Sequence, residues 1–84
     1  MNICGVLIHA NPSKVANVLA ALGELPGVDV HETAPGGRIV TTIEDTGEAL
    51  ALHTLTQIHR LDGIVAASLV YHHFDPAADA GAAA

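Results

Sequence analysis

Two stretches of this chain space their apolar residues for a helix, and each lies between short runs rich in β-branched residues. That alternation narrows the fold more than any single motif does. NICGVLIH (2–9) is short, apolar and strand-like. Asn11 and Pro12 then suit the cap and first position of a helix, and Val15, Val18, Leu19 and Leu22 recur at i, i+3, i+4, i+7 along one stripe. PGVDVHET (26–33) opens on a turn signal and alternates, with Val28 and Val30 against Asp29 and His31. APGG (34–37) tolerates positive φ and fits a hairpin connection. RIVTTIE (38–44) reads as the returning strand. DTGEAL begins a second helix, with Asp45 or Thr46 as its cap and Glu48 close to a capping-box position. Leu52, Leu55, Ile58 and Leu61 carry its stripe, and Gly63 suits its end. IVAASLVYHH, from Ile64, is the fourth strand.

The order β-α-β-β-α-β predicts an α+β domain of the ferredoxin-like kind, a four-stranded antiparallel sheet with two helices on one face. Right-handed crossovers put both helices on the same side, so the other side is left bare. Residues 1–74 form this one domain. Residues 75–84, DPAADAGAAA, hold no large apolar side chain and are read as a flexible C-terminal tail. A domain in a chain of 84 residues buries only about 60% of the surface its unfolded form exposes. Half of the residues are hydrophobic but only 2% are aromatic, so the core must be built from Val, Ile, Leu and Ala. Such a core packs densely and leaves little room for a large internal pocket.

Strand parity sorts the two faces. Val28 and Val30 face the helices. Ile39, Thr41 and Ile43 share that side, and Arg38, Val40, Thr42 and Glu44 the other. Cys4, Val6 and Ile8 form the core set of the first strand, and Gly5, Leu7 and His9 the open set. In the fourth strand Val65, Ala67, Leu69 and Tyr71 are expected inward, with Ala66, Ser68, Val70 and His72 outward. Both of those sets are apolar, and a bulge would invert them. The bare face then shows an apolar floor of Leu7, Val40 and Val70 among small residues, with histidines and Arg38 nearer its ends. A patch of that kind calls for a partner. A second copy of the chain, or a helix from another domain, is one candidate cover.

Nine acidic residues against three basic ones give a formal net charge of −6. Lys14, Arg38 and Arg60 are scattered, so the chain has no basic footprint for nucleic acid. An acidic surface favours basic partners. The single cysteine, Cys4, excludes an internal disulfide and fits a reducing compartment. The N-terminus lacks the basic and long apolar regions of a secretory signal, and no run approaches the ~20 apolar residues of a membrane span. These features predict a cytoplasmic protein with no membrane insertion.

Six histidines raise the question of metal binding. His72 and His73 alternate across a strand, His53 and His59 lie on different faces of one helix, and no paired ligand spacing occurs. Only His9 with His72, on neighbouring strands, offers a candidate pair. No Gly-x-Ser-x-Gly or P-loop is present, and Cys4 falls in the core set. The reading is therefore of a chain that is not an enzyme and carries no cofactor and no metal.

Four pieces of the sequence resemble the NapD family: the first strand with Cys4, the turn Pro26-Gly27-Val28, the stretch Gly-Arg-Ile-Val from Gly37, and LDGIVAASLVYHH from Leu61. The resemblance covers about residues 2–73, and Ser-Leu-Val-Tyr-His is its most specific part. It implies a cytoplasmic chaperone for the catalytic subunit of periplasmic nitrate reductase. Such a chaperone binds the twin-arginine signal peptide of the precursor and delays export until the enzyme's cofactors are loaded, carrying none itself. A peptide that is basic first and apolar after would suit an apolar floor on an acidic domain. On face parity, the residues expected to bind it are Leu7, His9, Val40, Ser68, Val70 and His72, with Asp29 and Glu44 as a candidate acidic rim. Tyr71 is expected to pack inward, with a role in the peptide site as the alternative. Arg38, awkward in a site that welcomes arginines, is expected to pair with Glu44 or Asp29. The competing reading is a small ligand-sensing or regulatory module, since this fold hosts many functions.

Overall fold

The strand that opens the chain lies in the middle of the sheet beside the third strand, which is why the core sets of both are fully buried. The computed structural model describes residues 2–74. The elements are β1 (Asn2–Ala10), a 3₁₀ turn (Pro12–Lys14), α1 (Val15–Gly23), β2 (Val28–Ala34), β3 (Arg38–Glu44), α2 (Ala51–His59) and β4 (Ile64–Phe74). The strands lie in the order β2-β3-β1-β4, every neighbour antiparallel. This is the ferredoxin-like α+β arrangement that the element order requires.

Both helices cover one face. Val18 and Leu22 of α1 and Ala51 and Ile58 of α2 pack into one cluster with Cys4, Val6, Ile8, Ile39 and Ile43 from the two central strands. Thr41 is buried among them, and its hydroxyl donates to the Val6 carbonyl at 3.0 Å. Thr54 of α2 is buried as well, but its hydroxyl oxygen has no hydrogen-bond partner.

Local chemistry fixes the connections. The Asn11 side chain accepts the Ser13 N–H at 3.1 Å and caps the turn that leads into α1. Gly36 and Gly37 both have positive φ, 87° and 84°, which a β-carbon would oppose. Gly37 also packs its α-carbon against the backbone of Ala10, and its carbonyl accepts the Ala10 N–H at 2.7 Å. The β2–β3 hairpin is thereby pinned to the end of β1.

The second helix starts later than expected, at Ala51. Residues 45–50 form a loop in which Thr46 Oγ1 accepts the N–H groups of Glu48 and Ala49. Asp45 still caps the helix, from across that loop: its Oδ1 accepts the Ala51 N–H at 2.7 Å. Its Oδ2 accepts from the Asn2 backbone N–H at 2.9 Å and from Asn2 Nδ2 at 2.8 Å. One carboxylate thus ties the start of β1 to the start of α2. With this start the inward stripe is Ala51, Thr54 and Ile58, flanked by Leu55 and Leu61, and Leu52 is turned out to solvent.

The fourth strand departs most from strict alternation. Its pairing with β1 shifts between Gly5 and Val6 and again between His9 and Ala10. Val70 and Val65 are the extra residues, so the parity of the strand changes at each. Ala67 and Leu69 lie opposite Ile8 and Val6 on the helix side, as expected. Val65 does not: it is 64% exposed, and Ile64 packs against the core in its place. Beyond Val70 the assignment is reversed. Tyr71, expected inward, pairs with Gly5 on the open face, and His72, expected on the open face, pairs with Cys4 on the helix side. Leu69 is on the helix side but 48% exposed, because β4 is an edge strand that the helices only partly cover.

Candidate functional site

Seen from its uncovered side, the sheet presents side chains in rows across the strands. Arg38 stands beside His9 at one end, then Val40 beside Leu7, then Thr42 beside Gly5, and Glu44 beside Ile3 at the other end. β2 extends these rows with Ala34, Glu32 and Asp29, opposite Arg38, Val40 and Thr42. β4 extends them with Ala66, Ser68, Tyr71 and His73, opposite His9, Leu7, Gly5 and Ile3. Leu7 and Val40, in the centre, are 38% and 41% exposed, so among the described residues nothing roofs this face.

The middle of the face is a shallow cleft of about 550 Å³. Leu7, Val40 and Thr42 form its floor with Gly5, while Tyr71 and Val70 wall it on the β4 side. His31 borders it on the β2 side, its Nε2 within 2.7 Å of Thr42 Oγ1. The two bulges shape this cleft. The bulge at Val70 delivers the one tyrosine of the chain to the open face, where its ring lies over Gly5. The irregularity between Val30 and Glu32 leaves His31 unpaired beside the cleft and turns Glu32 to the side of Val40.

The structure brings most of the expected residues together. Leu7, Val40 and Val70 line the cleft, and Ser68 adjoins it opposite Leu7. His9 sits at the Arg38 end of the face, and its Nε2–H donates to the Gly36 carbonyl at 3.1 Å. Asp29 and Glu44 sit toward the other end. His72 leaves the face: it is held by Asn2, its Nε2 within 2.8 Å of Asn2 Oδ1. His9 and His72 therefore stand on opposite faces of the sheet, which removes the candidate metal pair. Arg38 does not pair with Glu44 or Asp29: Glu44 stands at the opposite end of β3, and Asp29 lies opposite Thr42.

Gly5, His31 and Glu32 are not among the site residues the sequence points to, and Tyr71 is there only as an alternative. A glycine inside a strand is a signal of close approach by another group, so Gly5 was open to inference. The bulge that carries Tyr71 to the open face is not legible in the apolar run of β4, and the irregularity that turns Glu32 to this side is set by pairing with β3.

The buried thiol of Cys4 has no access to this face. Burial raises its pKa above the ordinary value, and the nearby Asp45 charge pushes the same way. Asp45 itself is held below the usual carboxylate range, first by the Ala51 N–H and then by the Asn2 N–H. Both groups are structural. The open face, with an apolar centre and charges at its ends, is suited to docking a chain rather than to transforming a substrate.

The chain is thus an α+β domain of ferredoxin-like build with one sheet face left open around an apolar cleft. The chain belongs to the NapD family: the family model described as NapD protein matches residues 1–76. It is similar to the chaperone NapD of Escherichia coli (strain K12), 25% identical over 71 residues that cover 83% of this chain and 82% of that one. It is also similar to the chaperone NapD of Haemophilus influenzae, 27% identical over 79 residues, 88% of this chain and 81% of that one. Among solved structures it matches the solution structure of the E. coli Tat proofreading chaperone protein NapD. There the TM-score is 0.72 at 23% identity, covering 87% of this chain and 78% of the other. No helix among the described residues is long and apolar enough to cross a membrane.

Proposed function

We propose that this chain is a chaperone for a twin-arginine signal peptide, that of the periplasmic nitrate reductase catalytic subunit, and that it binds the peptide on the open sheet face. The observation that carries this reading is the unroofed cleft of Leu7, Val40, Val70 and Tyr71. A leader peptide of this kind is apolar after its basic start. Laid as a helix on the cleft, it would remove its own apolar side and that of the sheet from water together. At about 25 cal/mol per Å² of apolar area, this burial supplies most of the affinity. Exposed ion pairs to Asp29, Glu32 or Glu44 contribute only about 0–1 kcal/mol each and act mainly on encounter rate and salt sensitivity.

In this role the protein works in the cytoplasm, before export, and performs no chemistry. Its effect on export is competition: a leader held against the sheet is not free to engage the translocation machinery until the complex dissociates. The chaperone then needs no cofactor of its own.

Titration of the ¹⁵N-labelled protein with a synthetic twin-arginine leader peptide tests this. Saturable shifts should concentrate at Gly5, Leu7, Val40, Thr42 and Tyr71, leaving the helices little affected. Shifts confined to α1 and α2, or none at all, would refute the assignment. A response to small metabolites in place of the peptide would point to a ligand-sensing module.

A further inference from the structure

We propose that the open face holds its peptide in one direction, with the basic leading end of an apolar helix at Asp29 and Glu44 and the trailing end at Arg38. The inference rests on the docking role just given and adds a sense of direction to it. Glu44 closes one end of the face opposite Ile3, and Asp29 lies one row further in, opposite Thr42. Arg38 closes the other end, between Ala34 and His9. None of these three side chains forms an ion pair among the described residues; the ion pair seen there joins Lys14 to Asp62, off the strands. Their charges are therefore free to act on a ligand.

The spacing suits a helix. Arg38 and Glu44 are six residues apart on β3, about 20 Å at ~3.3 Å per residue. A helix of about 13 residues has that length. Between the two ends lie the apolar side chains of Leu7 and Val40. A helix carries partial positive charge at its N-terminus and partial negative charge at its C-terminus. The arginines and the helix dipole therefore favour the same orientation. In the reverse orientation the arginines would face Arg38, and like charges brought together disfavour a complex. Glu32, on the β2 rim opposite Val40, lies between the two ends and attracts a basic group without reversing the sense. Arg38, awkward in a site that welcomes arginines, becomes the group that gives the site polarity.

Paramagnetic broadening reads the orientation directly. A nitroxide is placed at the N-terminus or at the C-terminus of a synthetic twin-arginine leader peptide, and each is added to the ¹⁵N-labelled full chain. The N-terminal label should broaden the amides of Asp29, Thr42 and Glu44. The C-terminal label should broaden those of His9 and Arg38. The opposite pattern, or equal broadening at both ends by both labels, would overturn the orientation while leaving docking intact. Absence of any saturable binding would overturn the docking role and the orientation together. As a second measurement, Arg38→Glu should blur or reverse the pattern, and Glu44→Lys should weaken binding roughly two- to fivefold. Both variants should keep a dispersed spectrum, since neither side chain is in the core. An unchanged pattern in Arg38→Glu and unchanged affinity in Glu44→Lys would show that these charges do not set the direction.

Discussion

The ring of Tyr71 lies flat on Gly5, across the seam between β1 and β4, and a β-carbon at position 5 would occupy the space of its Cε1, Cδ1 and Cζ atoms. Gly5 is buried by that ring, while Tyr71 is itself 50% exposed. The pair forms the β4 wall of the cleft, an aromatic surface set beside the aliphatic floor of Leu7 and Val40.

Gly5→Ala should displace the ring without unfolding the protein, because the clash is with the far end of a half-exposed side chain. Tyr71→Ala should also fold. Buried aromatic anchors at interfaces commonly contribute about 2 kcal/mol or more, so Tyr71→Ala should weaken a twin-arginine leader peptide about thirtyfold. Gly5→Ala should weaken it by a smaller factor. Isothermal titration calorimetry of both variants measures this, and full affinity in both would exclude the wall from the binding site.

Val70→Asp and Leu69→Asp should both leave a folded protein, although Leu69 belongs to the helix side of β4. Leu69 is on the helix side, but at 48% exposure its carboxylate can reach water. A loss of about 1–2 kcal/mol is expected there. Ile8→Asp, at a fully buried position, should abolish the fold, since an unpaired buried charge is strongly unfavourable. Thermal unfolding of the three variants ranks them, and only Val70→Asp should lose peptide binding at unchanged stability.

Acid should weaken the domain through Asp45. Its folded-state pKa is depressed by the N–H groups of Ala51 and Asn2. The contribution is therefore fully present above the ordinary aspartate value, about 3.9, and is lost as pH falls through the lower folded-state value. Asp45→Asn should lower stability at neutral pH by about 1–2 kcal/mol and flatten the fall below about pH 4. Urea unfolding between neutral and strongly acid pH tests both parts. An identical acid limb in the variant would assign the sensitivity elsewhere.

Thr54→Val should be neutral or stabilising by up to about 1 kcal/mol, since the Thr54 hydroxyl is buried without a partner. Thr41→Val should instead destabilise by about 1 kcal/mol, because the Thr41 hydroxyl satisfies the Val6 carbonyl. Opposite signs for two buried threonines distinguish hydrogen bonding from size. Chemical denaturation of the pair reads the difference.

The Cys4 thiol should react slowly in the native protein and rapidly once unfolded. It is fully buried, and its raised pKa keeps it protonated near neutral pH. A disulfide exchange reagent, with and without denaturant, should show a rate ratio that follows the stability of the fold. Rapid modification of the native chain would mean that β1 opens locally.

What the amino-acid sequence determined by itself was the element order, and with it the layout. Apolar spacing marks both helices, β-branched runs mark the strands, Pro35-Gly36-Gly37 marks the hairpin, and right-handed crossovers leave one sheet face open. In β1 and β3 polar residues break the apolar pattern, so parity alone separated Cys4, Val6 and Ile8 from Leu7, and Thr41 from Val40. Tertiary structure decided the rest of the site. In IVAASLVYHH both faces are apolar, so no local energy difference reveals where an extra residue enters the pairing with β1. Only the register across Gly5 and Val6 inserts Val70, carries Tyr71 to the open face over the space left by a missing β-carbon, and turns His72 back toward Asn2. In β2 alternation already sets Asp29 and His31 against the valines, and pairing with β3 adds Glu32 to the rim of the open face. A bulge is a choice between two strands, and neither strand records it alone.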